Sequence, residues 1–242
     1  GIEYRIDAAN AMVLLIVSGI GSVVVPYARK SLLLEYIHER HYLFYSAYLL
    51  CLTGLMGVAI TGDAFNLFVF LEISSLSSYV LISLGFDRRA LTAAYQYLVL
   101  GTIGATFIVI GIGLLYHATG TLNMADLAEI LPQLEANRTI PVAFTFLTVG
   151  ITLKLALFPL HLWLPNAYTY APSAVTAFIA STATKVGVYL LLRVFFTVFG
   201  ASFSFDVMQL DKVLMPRALV AILTMSLVAL RQGTVTRAPP YP

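Results

Sequence analysis

Apolar residues in this chain run on rather than alternate. Seven stretches, 11–27, 43–60, 64–85, 92–116, 140–160, 171–197 and 214–230, stay predominantly apolar for about the 20 residues that a helix needs to cross a hydrocarbon core. Polar positions collect between them: ARKSLLLEYIHERH after the first, a bare TGD between the second and third, and FDRRAL after the third. Asp63 in the TGD corner suits the cap of the helix that follows. The long connection HATGTLNMADLAEILPQLEANRT predicts a short interfacial helix with Leu122, Leu127, Ile130 and Leu131 on one side. Gly101, Gly104, Gly111 and Gly113 predict close packing of the fourth helix against a neighbour.

The pattern predicts an all-α, polytopic membrane protein of about seven transmembrane helices, and composition agrees. Hydrophobic residues make up 60% of the chain, charged ones 11%, and the mean hydropathy is +0.89. A soluble enzyme of this size has no means of hiding so much apolar surface. Fourteen basic residues against 12 acidic ones give a net charge of +2, scattered over short loops, which excludes a nucleic-acid partner. Cys51 is the only cysteine and lies in an apolar run, where it reads as a packing residue. No glycine-rich nucleotide fingerprint and no cysteine cluster is present, so neither a cofactor nor a metal is expected. In the early loops one face receives Arg29, Lys30, Arg40, Arg88 and Arg89 and the other Arg5 and Arg138, which predicts an outward N-terminus; the membrane expected is a bacterial inner membrane.

The fifth run is interrupted. KLALFPLHLWLPNAYTYAP carries Pro159, Pro165 and Pro172, and a regular helix does not pass unchanged through so many missing donors. Two readings stand: a helix broken within the membrane, whose freed carbonyls face protein or a watery cavity, or a tight interhelical turn at the surface.

Isolated charges mark the middle of three runs. Glu72, Lys154 and Lys185 each lie within roughly 6 Å of the midpoint of 64–85, 140–160 and 171–197 at about 1.5 Å rise per residue. An ionised group at that depth costs about 2.5 to 3.5 kcal/mol on insertion scales, so three of them need compensation. They are a structural ion pair, helix-docking residues, or stations on an ion path. Ser75 and Tyr79 follow Glu72 at i+3 and i+7, and Ser181, Thr182 and Tyr189 surround Lys185 at i−4, i−3 and i+4. Such hydroxyls serve a proton wire or simply satisfy helix carbonyls. His161 stands at the proline break, placed for a relay near neutral pH or for capping an interrupted helix. Trp163 reads as a packing or interface anchor. A solute carrier is disfavoured because no arginine is expected in the membrane interior to hold an organic substrate.

Glu72, Lys154, Lys185 and HLWLPNAYTYAP together resemble the proton-conducting antiporter-like subunits of respiratory complex I, of membrane-bound hydrogenases and of Mrp-type multisubunit sodium/proton antiporters. TGDAFNLFVFLEISSLSSYVLISLG is most similar to the D component of the Mrp-type antiporters. The resemblance implies that Glu72 pairs with Lys154, that Lys185 passes protons onward, and that His161 belongs to the relay between them. It implies a single integral-membrane domain over 1–242, with the first five-helix inverted repeat at 43–197, the opening of a second at 214–230, and an atypical tail at 231–242. The chain is then expected to be a truncated piece of a longer protein that lacks the second half-channel.

The function expected is that of a membrane subunit conducting protons for a multisubunit monovalent cation (Na+)/proton antiporter. Its partners would be other membrane subunits, the lipid bilayer, protons and Na+, with no catalytic site of its own. The alternatives are a proton-pumping subunit of a complex I-type or membrane-bound hydrogenase assembly, and a non-conducting scaffold in which the charges lock helices together.

Overall fold

A computed structural model describes residues 2–35, 41–134 and 137–231. The tail from 232 onward, which the sequence singled out as atypical, lies outside the described residues, as does Arg40. The helices are α1 (Ala8–Glu35), α2 (His41–Ile60), α3 (Ala64–Ser83), α4 (Arg89–Thr119), α5 (Met124–Ile130), α6 (Thr139–Leu155), α7 (Leu164–Tyr170), α8 (Ser173–Leu192) and α9 (Leu210–Leu230). Six are long and apolar enough to cross a membrane: α1, α2, α3, α4, α8 with its extension to Val198, and α9. The fifth expected run is shorter than predicted. Its helix, α6, is a 17-residue apolar helix that stops at Leu155 rather than continuing to 160.

From α1 to α4 each helix packs on the next. Then α4 meets α6, α6 meets α8, and α8 returns to α1 and α2, so the bundle closes on itself. Helices this apolar all round cannot choose a buried face by amphipathicity, so small residues choose it. On α4, a Cβ at Gly104 would stand 3.2 Å from the Gly150 carbonyl of α6, and one at Gly150 would stand 2.6 Å from the Gly104 carbonyl. Gly111 likewise admits Leu147, whereas Gly113 faces open space and takes no part, against expectation. Phe144 of α6 then fills the floor against Phe195, Phe199 and Phe203, from the wide turns that follow α8.

One end of the bundle is tied by short polar contacts. Asp63 caps α3 by accepting the Asn66 N–H at 2.7 Å, as the sequence predicts. Ala64 N–H donates to the Leu122 carbonyl and Met124 N–H to that of Gly62, which lays the expected interfacial helix α5 against the same corner. Arg5 N–H donates to the Ile60 carbonyl and Gly62 N–H to that of Glu3, so the N-terminal segment joins it too. By contrast α9 leaves most of its surface exposed, with Leu210 its one buried residue.

Candidate functional site

The site begins where α6 stops. No proline ends that helix: Ala156 turns into the left-handed region at φ 58°, its N–H donates to the Leu153 carbonyl, and Leu157 N–H donates to that of Thr152. These bonds satisfy the orphan carbonyls of the last turn. The prolines follow in tolerated places: Pro159 after a cis peptide in the turn, Pro165 in the first turn of α7, and Pro172 just before α8. Lys154 therefore occupies the last turn of α6, where the helix dipole favours a cation.

Depth decides between the two readings of the break. Lys154 meets the middle of α3, while Tyr170 at the end of α7 meets Arg89, whose guanidinium lies 5.8 Å from its ring, and leaves its carbonyl against Gly85. The segment 156–170 thus runs from mid-bundle to the level of the α3–α4 connection. It is an interrupted helix rather than a surface turn.

Glu72 and Lys154 come together. Lys154 Nζ donates to Glu72 Oε1 at 2.9 Å and to Ser75 Oγ at 2.7 Å, crossing from α6 to one face of α3. The lysine side chain is 7% exposed and the glutamate 25%, so the cation is sealed and the carboxylate is the partner open to change. The remaining serines of α3 are quieter. Ser74, Ser77 and Ser78 donate to the carbonyls of Leu71, Ile73 and Ser74, and the Cys51 thiol lies 3.3 Å from Ser78 Oγ.

Lys185 does not join the pair. Its Nζ donates to the Ala180 carbonyl at 2.7 Å and to Thr184 Oγ1 at 3.2 Å. Ser181, Thr182 and Tyr189, the hydroxyls placed around it by sequence, donate to carbonyls of Ala177, Phe178 and Ala59, which is the duller of their two expected roles. His161 is buried, its ring 5.5 Å from that of Phe158. His161 and Lys185 share the wall of a cavity of about 840 Å³ between the break, α8 and α9, together with Tyr168, Thr176 and Thr184. Leu155, next to Lys154 in the chain, lines it as well. The break thus has the ion pair on one side and a lysine-histidine cavity on the other.

Two features escaped the sequence reading. Arg217 of α9, exposed and one residue after Pro216, lines this cavity near the start of the 214–230 run, where the sequence reading assigned it no role. Tyr97 was also missed. Its ring lies flat on Trp163 at 3.9 Å and 2°, and Trp163 Nε1 donates to the Leu153 carbonyl at 3.3 Å, so the expected packing anchor also caps the end of α6.

Residues 61–238 match the family described as NADH:quinone oxidoreductase/Mrp antiporter, transmembrane. NADH-quinone oxidoreductase subunit N of Desulforudis audaxviator is 45% identical over 84% of this chain and 40% of its own length. The D component of the Na(+)/H(+) antiporter of Alkalihalophilus pseudofirmus is 36% identical over 83% of this chain and 40% of its own. The chain therefore spans about 40% of the length of these curated relatives. Among solved structures, a chain of the membrane-bound sulfane sulfur reductase, an archaeal respiratory membrane complex, superposes with a TM-score of 0.89 at 33% identity, covering all of this chain and 48% of that one. The chain belongs to the NADH:quinone oxidoreductase/Mrp antiporter transmembrane family.

Proposed function

We propose that this chain forms a proton-conducting half-channel of a longer subunit in a multisubunit monovalent cation (Na+)/proton antiporter. The observation that carries the reading is the sealed Lys154 ammonium, held by Glu72 and Ser75 at the point where α6 breaks, with Lys185 and His161 facing one cavity beyond it. A carboxylate at 2.9 Å stabilises the ammonium, and a carboxylate withdrawn favours proton release. Glu72 modulates Lys154 by this means, and Lys154 exchanges protons with Lys185 by way of His161 and water across the break. In this reading 43–197 is the first inverted repeat, 214–230 opens the second, and neighbouring membrane subunits complete the assembly in a bacterial inner membrane.

A second reading has an observation of its own. The 45% identity to an NADH-quinone oxidoreductase subunit exceeds the 36% to an antiporter subunit, and favours proton pumping driven by electron transfer in a respiratory complex. The two separate in everted vesicles that carry the full-length subunit in its native complex. Proton movement driven by an imposed sodium gradient supports antiport. Proton movement only on addition of NADH supports the respiratory reading. If neither gradient nor donor moves protons, the buried charges hold helices together and the conducting role is wrong.

A further inference from the structure

Ser75 differs from its neighbours on α3. Ser74, Ser77 and Ser78 spend their hydroxyl protons on helix carbonyls, while Ser75 Oγ receives the Lys154 ammonium at 2.7 Å. A hydroxyl that accepts still has a proton to donate. One turn along the same face stands the Tyr79 hydroxyl, close enough to Ser75 to interact with it but buried and without a fully formed hydrogen bond. A buried hydroxyl without a partner is costly, so a site that retains one has a use for it or a state in which it is satisfied.

The surroundings keep that hydroxyl where it is. A Cβ at Gly101 of α4 would overlap Tyr79 Oη and stand 3.0 Å from Cζ, so the glycine makes the room. The Tyr79 ring meets Tyr97 at 4.6 Å and 83°, Tyr97 lies on Trp163, and Trp163 holds the carbonyl of the residue before Lys154. Tyr79 is therefore tied to Lys154 through the aromatic stack and stands next to Ser75, which Lys154 bonds. The titratable groups around it are Glu72 on its own helix, Lys154 from α6 and Tyr97 from α4; Cys51 from α2 and Tyr168 from α7 lie beyond, beside Tyr97.

We infer that Tyr79 is a positioning residue for Lys154, its hydroxyl completing through Ser75 a hydrogen-bond chain that runs in either direction according to the charge on the lysine. With the ammonium present, Lys154 donates to Ser75, whose own proton is free to turn toward the Tyr79 oxygen. With the neutral amine, Tyr79 donates to Ser75 and Ser75 to the lone pair of Nζ. A small approach of the Tyr79 and Ser75 oxygens closes the chain, and hydroxyl rotation then reverses it. A phenylalanine at 79 keeps the stack and removes the reversible end. The inference rests on the proposed proton exchange at Lys154.

The test uses the full-length subunit in its native complex, with proton flux in everted vesicles read against pH for Tyr79→Phe, Ser75→Ala, the double variant, Gly101→Ala and Lys154→Ala. Tyr79→Phe is expected to assemble normally, lower flux by about two- to tenfold and move the midpoint of the pH profile by about half a unit to one unit. The double variant is expected to be no worse than Ser75→Ala alone, and Gly101→Ala, which displaces the hydroxyl but keeps the phenol, to move the midpoint in the same way. Unchanged flux and midpoint in Tyr79→Phe, beside a Lys154→Ala variant without flux, would overturn the role of Tyr79 and leave the parent reading standing. Additive losses in the double variant, or a loss confined to assembly, would overturn it as well. Full flux in Lys154→Ala would remove the parent reading and the inference together.

Discussion

Lys154 in the last turn of α6 and Glu72 near the middle of α3 meet at 2.9 Å across 82 residues of sequence. The contact is asymmetric. Ser75 adds a second bond on the lysine side, while the carboxylate keeps a quarter of its side chain exposed.

Replacing Glu72 by Gln keeps its shape and leaves the ammonium without a counter-charge. Removing one partner of a buried pair costs about 3 to 5 kcal/mol, and the outward exposure of Glu72 places the cost toward the lower value. Thermal unfolding of the purified complex is expected to shift downward and proton flux to fall at least about tenfold. The paired change Glu72→Gln with Lys154→Met is expected to restore stability and not flux. Restored flux in the pair would make the charges structural.

Contact between α4 and α6 depends on backbone meeting backbone at Gly104 and Gly150. An alanine at 150 would bring its Cβ to 2.6 Å from the Gly104 carbonyl and the same distance from Ile108 Cγ1, and it has no room to move. Overpacking of this kind costs about 1 to 3 kcal/mol. Gly150→Ala is expected to lower the unfolding temperature of the complex, whereas Gly113→Ala, in open space, is expected to leave it unchanged.

Asp7 and Arg193 give the fold an acid-sensitive clasp. The Asn10 N–H donated to Asp7 Oδ1 does most to hold the Asp7 carboxyl below its ordinary 3.8; burial opposes it, and the Arg193 guanidinium at 2.6 Å from Oδ2 lowers it further. A depressed carboxyl contributes stability above its ordinary value and loses it as pH falls through the folded value. Asp7→Asn is therefore expected to lower stability near neutral pH and to flatten its decline below about pH 4, which thermal scans across pH measure directly.

Much of this was legible in the sequence because hydrocarbon imposes simple rules. Apolar length located the helices, Asp63 announced the start of α3, and a carboxylate and two lysines at matching depth marked the site, while the pairing of Glu72 with Lys154 was implied by the family resemblance. What was illegible depended on three dimensions. The end of α6 is set by Ala156 in a left-handed conformation, and alanine carries no signal of that. Prolines drew attention to the break but sit downstream of it. Equal depth suggested that Lys185 would share the pair's surroundings, yet it lies on α8 facing the cavity, because depth along a helix says nothing about which way a side chain points. Tyr97 was invisible for the same reason: its importance comes from the flat contact with Trp163, 66 residues away in sequence.

Lys154 is the residue on which the account turns, so the most direct measurement is proton flux in everted vesicles carrying Lys154→Ala in the full-length subunit, with assembly of the complex checked in the same membranes. The account predicts a normally assembled complex in which flux is lost. Flux equal to that of the unmodified complex would contradict it and reduce the Glu72–Lys154 contact to a fastening between helices.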